Sequence, residues 1–195
     1  MKLIYEKEYD GNPESLPGRE HMPGAVKFKE FESSKGMAIF GNVAAFFIMI
    51  LLIVVSILCF GLLEFRFSII GCILALVILF PHEILHAICF KGEVHLYTNW
   101  KQGMLFVVGT EDMSKGRFVF MSLLPNLVFG FLPYLIYLIT GQAILGTLGI
   151  LAIGMGAGDY YNVFNALTQM PKGARTYLHQ FNSYWYMPEE VRNDK

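Results

Sequence analysis

Residues 81 to 90 read PHEILHAICF, and the reading of this stretch decides the fold. It closes a run from Ile69 to Phe90 whose only charged side chain is Glu83, and Lys91 ends it. A helix of that length covers the ~30 Å hydrocarbon core of a bilayer, so the run is predicted to cross a membrane. Two histidines and a glutamate stand inside it. A charged side chain at the centre of a span costs about 2.5 to 3.5 kcal/mol on insertion scales, and ionisable residues there mark function by default. The plainer alternative is a pair of histidines bonded to neighbouring helices and a glutamate that reaches for the interface.

The rest of the chain agrees with a membrane setting. Of 195 residues 54% are hydrophobic and 16% charged, against about a quarter charged in soluble domains. The net charge of −1 gives no basic footprint, so no nucleic-acid partner is expected. Cys59, Cys72 and Cys89 sit in apolar runs without a CxxC pair and read as small packing residues. The first apolar run starts near Met37 behind a mixed acidic and basic stretch, which does not match a cleavable signal, so that run is expected to remain as a span.

Four spans are predicted: Gly36 to Leu63, Ile69 to Phe90, Phe118 to Thr140, and Ala143 to about Met170. The last two, separated by a very short link, form an antiparallel hairpin. Lys27, Lys29 and Lys35 precede the first span; Lys91, Lys101, Lys115 and Arg117 fill the loop after the second; Lys172 and Arg175 follow the fourth. Basic residues near span ends stay cytoplasmic, so both termini and the long loop are predicted to be cytoplasmic. In that loop Val94, Leu96 and Thr98 alternate with His95, Tyr97 and Asn99, and MLFVV follows a Lys-Gln-Gly turn signal, which suggests a β-hairpin. The expected fold is an all-α membrane protein with four transmembrane helices and one small β-hairpin in the loop between helices 2 and 3. Its parts are a cytoplasmic N-terminal segment (1–35), a membrane domain (36–170) with loop 91–117, and a cytoplasmic tail (171–195).

His82 and His86 are four apart and share a helix face. Two such imidazoles can bind one zinc ion, and the adjacent Glu83 can take a proton from water that the metal has acidified to a pKa of roughly 7. Pro81 cannot bond the Val77 carbonyl, so it either bends the helix before His82 or is an ordinary tolerated proline.

A catalytic zinc normally has three protein ligands. The extended signature HExxHxxGxxH is closed here by Cys89 and Gly92. His95, Glu93, Glu111 and Asp112 lie in the loop and could fold back. Asp159 is the only residue from Phe118 to Pro171 charged at neutral pH, and a metal on another helix would relieve its isolation. On straight helices it would lie roughly 20 Å from Lys172, while His86 lies roughly 8 Å from Lys91, so one shared layer requires a tilted or frayed fourth span. Gly154 and Gly158 in GMGAG form a small-xxx-small pair suited to close helix approach. Asn162, on the face of Asp159, could orient it or make a plain interhelical bond.

These residues resemble those of the site-2 protease group of intramembrane zinc metalloproteases. The chain is closer still to a family of small bacterial membrane proteins called putative zincin peptidases, over roughly residues 69 to 170. The resemblance implies His82 and His86 as zinc ligands, Asp159 as the third ligand and Glu83 as the base. It departs from site-2 proteases in having Gly-Asp-Tyr rather than Leu-Asp-Gly at Asp159, and no PDZ-like insertion. The expected activity is that of a membrane-embedded zinc endopeptidase acting on a membrane or membrane-proximal protein in the bacterial cell membrane. The alternative is a non-catalytic metal-binding, immunity or adaptor protein that retains the motif. A transporter is disfavoured, because four spans are few and no inverted repeat is present.

Overall fold

Each long apolar run forms a helix, and serine starts three of them. The computed structural model describes residues 1–189. Helix α1 (Ser34–Phe60) begins where the Ser33 hydroxyl accepts from the Gly36 N–H, and it ends at Gly61, where φ is +89°. The second run is broken at Ile78 into α2 (Ile69–Val77), capped by Ser68, and α3 (Leu79–Ala87). Pro81 falls in the first turn of α3, where a missing N–H removes a donor that has no intrahelical partner. The third run gives α4 (Lys115–Asn126), capped by Ser114, then a π-helical turn at Leu127–Phe131, then α5 (Leu132–Thr140). The fourth gives α6 (Ala143–Met155) and α7 (Ala157–Gln169), bent by 48° at Gly156.

Three of these stretches, Ser34–Phe60, Ile69–Ala87 and Lys115–Thr140, are long and apolar enough to cross a membrane, and the bent pair makes a fourth if it is one span. Their outer faces are apolar: Leu58, Ile69 and Ile139 are at least 80% exposed, which suits contact with hydrocarbon far better than contact with water. Inside, α6 packs against α1, α2 and α5. The contact with α5 is backbone-close, since a Cβ on Gly149 would lie 2.8 Å from the Tyr134 nitrogen. Helix α4 lies between α3 and α7.

The predicted hairpin is present. Strand β3 (Glu93–Asn99) pairs antiparallel with β4 (Met104–Val108) around a turn at Trp100–Gln102. The all-α expectation is overturned, however, because strands outside the loop pair with it. Strand β1 (Lys2–Glu8) runs parallel to β3, giving a three-stranded sheet in the order β1-β3-β4. A second sheet has the order β2-β7-β6-β5, from β2 (Val26–Lys27), β5 (Met113–Ser114), β6 (Arg175–His179) and β7 (Asn182–Tyr186). The protein is therefore a mixed α and β structure. The N-terminal segment, the loop and the tail share these sheets, so all three lie at one end of the helices; residues 190–195 of the tail lie outside the described residues. Phe90, Val94, Met113, Phe118, Met170 and Ala174 form one buried cluster that fastens the sheets to the helix ends.

Candidate metal centre

The site is assembled by α3, α4 and α7. Helical spacing puts His82 and His86 one turn apart on α3, with ring centroids 4.9 Å from each other. The bend at Gly156 delivers Asp159 in the first turn of α7. Its Oδ2 lies 3.3 Å from His82 Nε2 and its Oδ1 3.2 Å from His86 Nε2. The ligand-type atoms of the three residues all lie within 4.8 Å of one another. The bend is the physical answer to the depth mismatch expected from straight helices.

His86 is held in one tautomer. Its Nδ1 donates to the Met121 carbonyl at 2.9 Å, so in the neutral ring it is Nε2 that carries the lone pair, facing the Asp159 carboxylate. Two acceptors at that distance repel unless a proton or a cation stands between them. Ligand atoms around a tetrahedral zinc with bonds of 2.0 to 2.2 Å lie about 3.3 to 3.5 Å apart, and the two histidine–carboxylate separations are of that size. Two imidazoles and a carboxylate thus fit zinc in chemistry and in spacing.

Glu83, 9% exposed, lies on the same helix and lines the same cavity as Val107 of β4. A cavity of about 510 Å³ reaches His82, Glu83, His86 and Asp159, and is lined also by Gly41, Asn42 and Ala45 of α1 and by residues 104–108 of β4. That volume is in the range of small-ligand and peptide side-chain pockets.

The four loop candidates are engaged elsewhere. His95 bonds Glu6, Glu93 pairs with Lys2, Glu111 holds Arg117 and the Lys91 N–H, and Asp112 holds Arg175. Asn162 lines the cavity, and Asp159 instead receives 2.7 Å from Asn126 Nδ2 on α4. Sequence reasoning missed Asn126; its signal was an amide within the apolar stretch SLLPNLVFG. Nor do the two glycines of GMGAG act as a pair against α3. Gly154 packs against Met49 of α1, and Gly158 has only an ordinary contact with Met37.

A model of the family described as "Putative zincin peptidase" matches residues 74–175, which take in all three ligand-type residues and Glu83. No curated protein and no solved structure matches the chain.

Proposed function

The chain belongs to the family described as "Putative zincin peptidase", and from that premise we propose that it is a membrane-embedded zinc endopeptidase of site-2 protease type. His82, His86 and Asp159 would hold the metal, and Glu83 would carry the proton. The observation that carries this reading is the meeting of Asp159 with both histidines, at 3.2 and 3.3 Å, beside a buried glutamate in the lining of a cavity. Zinc bound there supplies Lewis acidity, lowering the pKa of water to roughly 7 and polarising a carbonyl.

The chain's own residues do the rest. Glu83 takes the proton of the attacking water and passes it to the leaving amine. Met121 keeps His86 in the ligating tautomer. Strand β4 ends its sheet, and its free edge lines the cavity. An extended substrate segment pairs with that edge and brings its carbonyl to the metal. The substrate is a membrane or membrane-proximal protein, the surrounding membrane is that of a bacterial cell, and the sheets face the cytoplasm, as the basic residues at the span ends direct.

The non-catalytic alternative predicts a closed site of four protein ligands. Among the described residues the cluster offers three, and a cavity opens on it, which favours catalysis. The test is Glu83→Gln, assayed in vesicles with a quenched-fluorescent peptide library. The variant is expected to keep about one zinc per chain and to lose cleavage by at least ~100-fold, as loss of a general base does. Undiminished cleavage would sink the proposal.

A further inference from the structure

We propose that Asn126 is the positioning residue of the metal centre, holding the Asp159 carboxylate in its ligating orientation; this rests on the reading of His82, His86 and Asp159 as a zinc site. Asn126 is 1% exposed and ends α4 where the π-helical turn begins. Its Nδ2 donates to Asp159 Oδ2 at 2.7 Å and faces the Ser122 carbonyl at 3.4 Å. Its Oδ1 accepts from the Tyr160 hydroxyl at 3.2 Å. These partners fix the orientation of the amide, because turning it over would set Oδ1 against two acceptors. Asn126 thus acts through Asp159, and Tyr160 acts through Asn126.

The backbone around it is shaped for this bond. A Cβ at Gly156 would collide with the Asn126 side-chain oxygen and Cγ, so the residue at which α6 and α7 break is also the one whose lack of a side chain admits the amide. A π-turn starts at the next residue, and such turns gather at functional sites. The amide is neutral, so it orients the carboxylate without cancelling the charge that attracts a cation. A lysine or arginine at 126 would form an ion pair and compete with the metal.

The experiment measures zinc affinity of the full chain in detergent micelles by competition with a chelator, and the absorption spectrum of the cobalt-loaded protein. Asn126→Leu keeps the branched shape and removes the donor. Its zinc dissociation constant is expected to rise by roughly 10- to 100-fold, the usual cost of losing such a partner, with a changed cobalt spectrum, while the metal-free protein still melts cooperatively. A residue that merely packs would leave the affinity and the spectrum unmoved. Tyr160→Phe, which removes one hydroxyl, is expected to weaken zinc several-fold. A folded Asn126→Leu protein with wild-type zinc affinity overturns the proposal. If that variant does not fold, wild-type affinity in Tyr160→Phe overturns it instead. Asp159→Ala separates the two levels: wild-type affinity there refutes the site itself, whereas loss there with full affinity in Asn126→Leu refutes only the role of Asn126.

Discussion

His86 and Asp159 are each held from behind. The Met121 carbonyl fixes the imidazole of His86, and Asn126 fixes the carboxylate of Asp159, so the atoms facing each other have little freedom to turn away. A buried carboxylate without a cation partner would cost several kcal/mol, so the aspartate is the residue whose presence most needs the metal. Asp159→Ala is accordingly expected to lower zinc affinity by more than the 10- to 100-fold typical of an outer partner, while His95→Ala keeps about one zinc per chain, both read by metal analysis after chelator challenge. Full zinc in Asp159→Ala, or its loss in His95→Ala, would return the third ligand to the loop. At this scale much was legible. HEILH is a local pattern whose i, i+4 spacing fixes a shared face, and Asp159 stood out as an isolated charge. Asn126 did not, because a neutral amide in an apolar helix looks the same whether it bonds a ligand or a neighbouring backbone.

Strand β4 joins the hairpin to the centre. Thr98 of β3 gives its carbonyl to the Tyr9 N–H, on the side away from β4, so its cross-strand partner Leu105 belongs to a pair without ladder bonds and its own N–H points away from β3. Leu105→Pro therefore removes an outward donor without breaking the ladder to β3, which is where a strand tolerates proline. If substrates pair with this edge, the variant should raise KM by about 5- to 10-fold, the value of one hydrogen bond of ~1 kcal/mol, with kcat and zinc content little changed. An unaltered KM would remove strand pairing from the mechanism. The hairpin was legible because β3 and β4 are neighbours with alternating residues and a turn between them. The break at Gly156 was not: GMGAG reads equally as close helix packing, and only the meeting of Asn126 with Gly156 shows why the chain turns there.

Across the whole molecule, the N-terminal segment, the loop and the tail cover the end of the helices where His82, His86 and Asp159 meet. The all-α expectation failed here for a physical reason: β1 pairs with β3, about ninety residues away, and β5 with β6, about sixty away, and no local periodicity names a partner so distant. Asp112 of the loop ties the three segments together. It pairs with Arg175 and accepts from the Tyr186 hydroxyl, both in the tail, and lies 3.7 Å from Arg19 of the N-terminal segment. The tail in turn lays Leu178 and Phe181 on the buried cluster of Tyr9, Leu16, Tyr97 and Val108, on which Phe106 of β4 also packs. Burial works against the Asp112 carboxylate, but the Arg175 and Tyr186 hydrogen bonds and the Arg175 charge outweigh it and hold its pKa below the usual range. A carboxylate with a depressed folded pKa contributes stability that is present above the unfolded value of about 3.9 and fades as pH falls through the folded one. Asp112→Asn should therefore cost about 1 kcal/mol at pH 7, a figure reduced for the solvent that reaches both partners. The gap from wild type should close as pH drops below about 4. Thermal unfolding followed by the fluorescence of Trp185 in β7 reads this directly, since that residue packs on the cluster joining sheets to helices. Equal melting at pH 7, or a gap that does not narrow as pH falls from about 5 to about 2, would mean that Asp112 does not hold the three segments together through its charge.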